Sequence, residues 1–205
     1  MSVEKIQESL RVRKMLQTKR ALQQHALRLF RERGYEATTV EDIAAAANVS
    51  DRTFFRYFPT KESVLFDDDY EPVLSAAIEF LPRGEDAPID LLKQLVRSVV
   101  GSIYEQDRDE LLERSRLTMN TPALRGRLME DVLQMERMVG AAIARATGQS
   151  EEDFAVQTMA AACVGAIRVA FERWLATDGA VPLPQLIVEA LEALQRGLGR
   201  VPEKG

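Results

Sequence analysis

Apolar residues recur at intervals of three and four along nearly the whole chain, and this helical period constrains the fold more than any other feature of the sequence. In the first long segment, Leu22, Ala26 and Phe30 fall on one face of a helix, whereas charged and polar residues occupy the other faces. No segment shows the two-residue alternation of β-branched and aromatic residues that is typical of a half-buried strand. The sequence therefore predicts an all-α fold.

Glycine, proline and helix-capping residues divide the chain into separate helices. Gly34 ends the first helix, Ser50 begins the third, and Pro59 ends that third helix. The fourth helix is expected to bend at Pro72, because proline cannot supply an intrahelical N–H. The predicted helices cover residues 16–33, 39–47, 50–58, 61–81, 88–105, 108–119, 122–146, 151–178 and 183–198.

Charge is distributed unevenly along the chain. The net charge is −5, but residues 1–61 carry 12 Lys and Arg against 7 Asp and Glu, whereas residues 62–205 carry 15 against 25. A basic segment followed by an acidic body indicates that the first segment contacts a polyanion and the body does not. Random variation of surface charge is the alternative interpretation.

The composition argues against several classes of protein. One cysteine and one histidine are too few for a disulfide framework or for a Cys/His metal site. The longest apolar run, residues 159–167, is about half the length of a bilayer span, and the first ten residues lack the apolar stretch of a signal peptide. We therefore expect a cytoplasmic protein without a metal, a cofactor or a membrane partner.

Catalysis has little support in the sequence. His25 would have to act as a general base from within the first helix, and Cys163 lies among Ala and Val residues, where a buried thiol is typical. The acidic run at residues 67–69 would splay around a helix axis, which makes a poor metal site. We expect no enzymatic activity; an enzyme that uses carboxylates is the alternative.

The segment 39–58 predicts two short helices joined by a tight turn. Ala44 is small enough to let the helices cross closely, and Asn48 tolerates the positive φ that the turn needs. Val49 and Phe54 supply apolar contacts that would hold the second helix of the pair in place. This arrangement is a helix-turn-helix, whose second helix enters the major groove of DNA. An ordinary helical hairpin is the alternative.

The residue types in and around this motif suit DNA. Thr38 or Thr39 is expected to cap the first helix of the pair, with Glu41 or Asp42 completing a capping box. Arginine can pair with guanine, and threonine or an aromatic ring can touch a thymine methyl group. Helix N-termini present N–H groups to phosphates, and a lysine adds a point charge. The predicted DNA contacts are Thr39, Ser50, Arg52, Thr53, Phe55, Arg56, Tyr57 and Lys61.

The sequence TTVEDIAAAANVSDRTFFRYFPTKESV, residues 38–64, resembles the signature of TetR-family transcriptional regulators. The similarity is specific over residues 16–65 and concerns only the architecture beyond them. It implies a DNA-binding head over residues 1–61 and a helical ligand-binding and dimerisation domain over residues 62–205. It further implies a homodimer whose two heads read the half-sites of a palindromic operator, and it implies the same DNA contacts.

Two residues of the predicted recognition helix depart from the family pattern. The family often has tyrosine at the position of Phe55 and histidine at the position of Tyr57. Because Phe55 has no hydroxyl, it cannot donate a hydrogen bond to a phosphate, and its contact must be apolar. Tyr57 can still donate.

The last two predicted helices are apolar around much of their circumference, which favours burial on two sides, within the chain and against a twofold mate. Burial within the chain alone is the alternative. Methionines in the preceding helices suit an adaptable ligand cavity and suit an ordinary core equally well. The predicted dimer contacts are Phe171, Leu175, Leu186, Ala190 and Leu194, and the predicted ligand contacts are Arg116, Met119, Asn120 and Met135.

A basic cluster lies at the N-terminal end of the predicted head. It could form an arm that enters the minor groove, or it could be a solvated extension of the first helix. Its members are Arg11, Arg13, Lys14, Lys19 and Arg20.

Together with these residues, the resemblance to the TetR family implies a ligand-released homodimeric repressor that binds double-stranded DNA and an unidentified small molecule. Effector binding would move the helix over residues 61–81, separate the two heads and lower the affinity for DNA. Two alternatives stay open. One is a regulator whose body holds a protein partner or no ligand at all, and the other is a helical enzyme or small-molecule carrier with a non-functional head.

Overall fold

The computed structural model describes residues 3–66, 70–82 and 87–197, with side chains placed for all of these except 3–13, 70–71 and 127–129. Every regular element in these ranges is helical, so the all-α prediction is confirmed. One stretch, Val96–Val100, is a π-helical turn between two α-helices.

The chain divides into two compact units, of which the first covers residues 1–68. Leu22, Ala26 and Phe30 are buried in its core, so the apolar face predicted for the first helix is confirmed. Ile43 and Phe54 complete this core from the next two helices. The helices of the first unit are α1 (Val3–Arg33), α2 (Val40–Ala46), α3 (Asp51–Tyr57) and α4 (Ser63–Phe66).

Local sequence signals set the helix ends of the first unit. Gly34 follows α1 with a φ of +86°, a conformation that glycine adopts without strain. Thr39 caps α2, and its backbone N–H in turn donates to the carboxylate of Asp42, which completes the predicted capping box. Asn48 has a φ of +55° between α2 and α3, as the turn was expected to require. Ser50 then caps α3.

The second unit covers residues 69–205 and has its own core. Leu91, Ile143, Trp174 and Leu191 are buried at its centre, and the indole N–H of Trp174 donates to the hydroxyl of Tyr104 at 3.3 Å. The helices of this unit are α5 (Tyr70–Glu79), α6 (Pro88–Leu95), α7 (Gly101–Asn120), α8 (Pro122–Thr147), α9 (Phe154–Ala176) and α10 (Leu183–Gln195).

The structure corrects two expectations about helix bounds and refines a third. The predicted start of the first helix at residue 16 is wrong, because α1 begins at Val3 and no glycine or proline interrupts the segment between them. The bend expected at Pro72 is also wrong, because Pro72 lies in the first turn of α5, where no intrahelical N–H is needed. The break predicted between 105 and 108 is a kink inside α7, where Asp107 has a φ of −126°.

Helix α9 is, within the described part of the chain, the one helix that is long and apolar enough to cross a membrane by length and composition. The sequence-based expectation counted consecutive apolar residues and therefore did not find it. Core helices of water-soluble proteins pass the same test, so this property alone does not place α9 in a membrane. Less than a third of its apolar stretch is buried within the chain, which leaves apolar surface for another partner.

Candidate functional site: DNA interface and ligand cleft

Helix α3 is held in the first unit by one apolar face. Phe54 and, directly after the helix, Phe58 are completely buried, and their ring centroids lie 5.5 Å apart. The hydroxyl oxygen of Ser50 accepts a hydrogen bond from the backbone N–H of Thr53 at 3.2 Å, which satisfies one of the free donors at the start of the helix. These contacts fix the orientation of α3, and hence the direction of its opposite face.

That opposite face carries most of the side chains predicted to contact DNA. Arg52, Phe55 and Arg56 are exposed, whereas Thr53 and Tyr57 are half-buried. The guanidinium of Arg56 lies 5.1 Å from the centre of the Tyr57 ring, a cation–π distance that orients both groups. In the described part of the chain neither arginine has an acidic partner, so both guanidinium groups are available to guanine or phosphate.

Thr39 lies directly before α2 and is hydrogen-bonded to the first turn of that helix. Its hydroxyl oxygen accepts from the backbone N–H of Asp42 at 3.1 Å, and its own N–H donates to the Asp42 carboxylate at 3.0 Å. These hydrogen bonds, with the Arg33 guanidinium 3.3 Å away, hold the pKa of Asp42 below its usual range. The Thr39 side chain is exposed, and its hydroxyl is already used to cap α2.

Lys61 makes contacts that the sequence analysis missed. Its ammonium group donates to the backbone carbonyl of Tyr35 at 3.0 Å and to that of Thr38 at 3.1 Å, and it lies 4.0 Å from the centre of the Tyr35 ring. The next residue, Glu62, accepts a hydrogen bond from the Tyr35 hydroxyl. We call Tyr35, Lys61 and Glu62 the tyrosine clamp. It ties the segment after α3 to the loop between α1 and α2.

The clamp also perturbs two ionisable groups. Burial and the hydrogen bond to Glu62 raise the pKa of the Tyr35 hydroxyl well above its usual range. Burial tends to raise the pKa of Glu62, but hydrogen bonds from Tyr35, from its own backbone N–H and from Thr60 outweigh it and lower that pKa. Tyr35 is thus a neutral donor and Glu62 a charged acceptor at neutral pH. No sequence signal identified this pair, because its members are 27 positions apart.

None of the four predicted ligand contacts lines the cleft between α5, α8 and the turn after α8. Arg116 forms an ion pair with Asp178, which follows α9. Asn120 and Met135 are exposed, and Met119 is half-buried. Their role in ligand binding stays a prediction.

This cleft of the second unit, between α5, α8 and the turn after α8, has a volume of about 1000 Å³. Ile78 and Met138 are among its apolar lining residues. Its charged lining residues are Arg137, Arg145, Glu79 and Glu151. The Nε atom of Arg145 donates to the carbonyl of Leu81 at 3.3 Å, which restrains this side chain. The cleft thus offers both apolar and charged surface to a small molecule. Sequence reasoning noted Met138 as one of a group of methionines and missed the arginines.

The predicted dimer contacts are mostly packed within the chain. Leu186 is buried, and the others, Phe171, Leu175, Ala190 and Leu194, are half-buried against the core. A different set of α9 residues is more accessible and recurs at helical spacing. We call it the outer α9 face, and it consists of Met159, Ala162 and Val169, which are exposed, and Ala166, which is half-buried.

The other residues that the sequence singled out have ordinary environments. Cys163 is buried, and this burial raises the pKa of its thiol to about 11, so it is a neutral apolar side chain at pH 7. One ring nitrogen of His25 lies 3.3 Å from the guanidinium of Arg28 on the next turn of α1. Within the basic cluster, Lys14 and Arg20 are exposed, and the structure does not describe the side chains of Arg11 and Arg13. The acidic run 67–69 lies outside the described residues.

Comparison with known proteins connects both units to one family. Residues 24–67 match the family model for bacterial regulatory proteins of the tetR family, and residues 86–199 match the model of the MftR C-terminal domain. The chain is 32% identical to the HTH-type transcriptional regulator TcmR of Streptomyces glaucescens, over 80% of this chain and 76% of that relative. It is 28% identical to the protein named MftR of Mycobacterium tuberculosis, over 86% of this chain and 88% of that relative.

A solved structure agrees with these matches. The TetR-family transcriptional repressor FadR of Thermus thermophilus, in complex with lauroyl-CoA, aligns with a TM-score of 0.59 and 27% identity, covering 91% of this chain and 99% of that one. The helix-turn-helix of the first unit and the helical second unit are therefore those of a known class of regulator. The chain belongs to the TetR family of bacterial DNA-binding transcriptional regulators.

Proposed function

We propose that this protein is a homodimeric repressor that binds a palindromic operator and leaves it when a small molecule occupies the second unit. The observation that carries the DNA part is the exposed face of α3, where Arg52, Phe55 and Arg56 project from a helix whose other face is buried. Such a rigid helix with two accessible guanidinium groups suits base reading in a major groove. On this proposal the protein acts in the cytoplasm and catalyses no reaction.

The proposed contacts to DNA fall into groups that differ in the chemistry of the side chain. Arg52 and Arg56 are proposed to pair with guanine edges or phosphates, and Tyr57 can donate its hydroxyl to a phosphate. Thr39, Ser50 and Thr53 are proposed as secondary contacts through their hydroxyls, although each also serves a helix N-terminus. Lys61 is proposed to act through the tyrosine clamp rather than as a main phosphate contact, since two of its three N–H groups are already bonded to carbonyls.

The homodimer is supported by the outer α9 face. Met159 and Val169 are exposed apolar residues on this face, and the small residues between them allow a second helix to approach closely. Contiguous exposed apolar patches are uncommon on monomeric water-soluble proteins and often mark an interaction surface. In a twofold dimer the same face of the mate can cover it, so we place the centre of the proposed interface here, with the half-buried residues predicted earlier at its edge.

The ligand site is proposed to be the cleft between α5 and α8. Its apolar residues suit a hydrophobic portion of a ligand, and its two arginines, which share the cleft with Glu79 and Glu151, suit a polar or anionic portion. The relative solved in complex with lauroyl-CoA shows that a regulator of this fold can take an amphipathic ligand. A ligand that lowers the affinity for DNA about 100-fold needs roughly 2.7 kcal/mol of coupling between the two sites.

The proposal is tested by titrating a fluorescent duplex from the region flanking the gene, beside a scrambled duplex, at two salt concentrations. We expect the flanking duplex to bind more tightly, with an affinity that falls as salt rises. Arg56→Ala should abolish most of this preference. Arg137→Ala is the matched control: it removes an exposed arginine from the second unit and should leave DNA binding unchanged.

The same assay tests ligand release, with lauroyl-CoA and free coenzyme A as the first probes. Release by a probe from the unsubstituted protein, and weaker release from Arg137→Ala, would support the cleft as the ligand site. If neither the flanking duplex nor a selection from a random pool yields a preferred sequence, the repressor proposal is refuted.

A further inference from the structure

One phenylalanine of α3 is exposed, although two nearby phenylalanines are buried. Phe55 is 53% exposed, whereas Phe54 and Phe58 are completely buried. An exposed phenyl ring gains free energy when an apolar group covers it. Phe55 is therefore the position on α3 where an apolar contact would contribute most to binding.

The ring of Phe55 is held in a defined orientation. It contacts the ring of Phe54 edge to face, with centroids 5.6 Å apart and an interplanar angle of 84°. Because Phe54 belongs to the core, this contact restrains one edge of the Phe55 ring and leaves the rest of the ring open to a partner.

The surroundings of Phe55 indicate what covers it. The exposed Arg52 and Arg56 lie three residues before it and one residue after it, so the ring is flanked by cationic side chains. A polyanion that also presents an apolar group complements both the ring and its flanking cations. In the major groove of DNA, the group that fits this description is the C5-methyl of thymine.

We propose that Phe55 is a specificity-determining residue that recognises a thymine by covering its methyl group. Without a hydroxyl, the ring has no hydrogen bond to offer a phosphate, so its contribution depends on the base and not on the backbone. The inference rests on the proposed DNA-binding function and adds a base identity to it. Burial of one methyl group corresponds to an affinity change of about fourfold.

The test begins with selection of a duplex from a random pool by the unsubstituted full-length protein. Each thymine of the selected duplex is then replaced, one at a time, by deoxyuridine, which lacks only the methyl group. We expect about fourfold weaker binding at one thymine in each half-site and little change at the other thymines. Phe55→Ala should bind all these duplexes equally, whereas Phe55→Tyr should keep the discrimination, because it keeps the ring.

A matched control and two contrary outcomes complete the experiment. Phe80→Ala removes a phenyl group that is 84% exposed in the second unit, and it should discriminate uracil from thymine as the unsubstituted protein does. If a duplex is selected but no uracil substitution weakens binding, or if Phe55→Ala shows the same sensitivity, the inference about Phe55 is overturned while DNA binding stands. If no sequence is selected, the proposed DNA-binding function fails, and the inference fails with it.

Discussion

Replacement of Lys61 by methionine separates two roles that a lysine at this position can have. Methionine keeps an apolar stem of similar length but removes the ammonium group, and with it two hydrogen bonds to backbone carbonyls and the contact with the Tyr35 ring. Hydrogen bonds from a charged donor contribute about 1.5–3 kcal/mol each when buried, and a cation–π contact at an exposed site about 0.5–1 kcal/mol. Because Lys61 is only half-buried, water replaces part of what is lost, and the low-end total of about 3.5 kcal/mol is reduced to about 2 kcal/mol.

The expected loss for Lys61→Met is therefore about 2 kcal/mol in the stability of the first unit. Amide hydrogen exchange measures it directly, because protection of the α2 and α3 amides reports the opening free energy of that unit. A loss of 2 kcal/mol corresponds to exchange that is about thirtyfold faster. The amides of α9 and α10, in the other unit, serve as the internal control.

The salt dependence of DNA binding provides the second measurement. A lysine that neutralises a phosphate contributes about 0.9 to the slope of log affinity against log salt concentration. We expect Lys61→Met to leave that slope unchanged, and Arg52→Met, which removes an exposed cation from α3, to reduce it. A reduced slope in Lys61→Met with unchanged hydrogen exchange would refute the clamp interpretation and show that Lys61 is a phosphate contact.

Three further predictions follow from the structure. Val169→Glu should convert the dimer to monomers in light scattering, because it puts a charge into the outer α9 face. Val73→Glu, at a valine that is 49% exposed on α5, is the control and should remain dimeric. Equal effects of the two substitutions on the dimer would contradict the proposed interface. The lowered pKa of Glu62 stabilises the folded state at neutral pH, and this contribution is lost as the pH falls through that lowered value. The difference in melting temperature between the unsubstituted protein and Glu62→Gln should therefore shrink in acid, and a difference that is independent of pH would exclude the mechanism. Burial of Cys163 raises its thiol pKa to about 11, so an aromatic disulfide reagent at pH 8 should react slowly with the native protein and rapidly in urea; fast native labelling would contradict that burial.

Features that depend on a few neighbouring residues could be predicted from the sequence. The positive φ values of Gly34 and Asn48 and the cap at Ser50 are confirmed, because the conformational freedom of a residue and its hydrogen bonds to residues within four positions are local properties. The accessible arginines of α3 could be predicted for a related reason: once the helical period identifies Phe54 as a core residue, Arg52 and Arg56 must lie away from that core.

Where the sequence left alternatives open, contacts between residues that are distant in the sequence determined which alternative is correct. Both Thr38 and Thr39 could cap α2, and Thr39 does so because the hydroxyl of Thr38 is buried and donates at 3.3 Å to the carbonyl of Leu29, nine positions away in α1. The tyrosine clamp joins residues 26 and 27 positions apart, and no periodicity relates them.

In the second unit, the sequence by itself determined that α9 and α10 are apolar, and the tertiary structure decided which of their faces is used within the chain. Leu186, predicted to contact a mate, is buried in the core, whereas Val169 is exposed. The helical period shows that an apolar face must be covered, but it does not show which of several apolar faces the chain itself covers. Only the packing of the other helices determines which face the chain covers itself, and therefore which one is left for a partner.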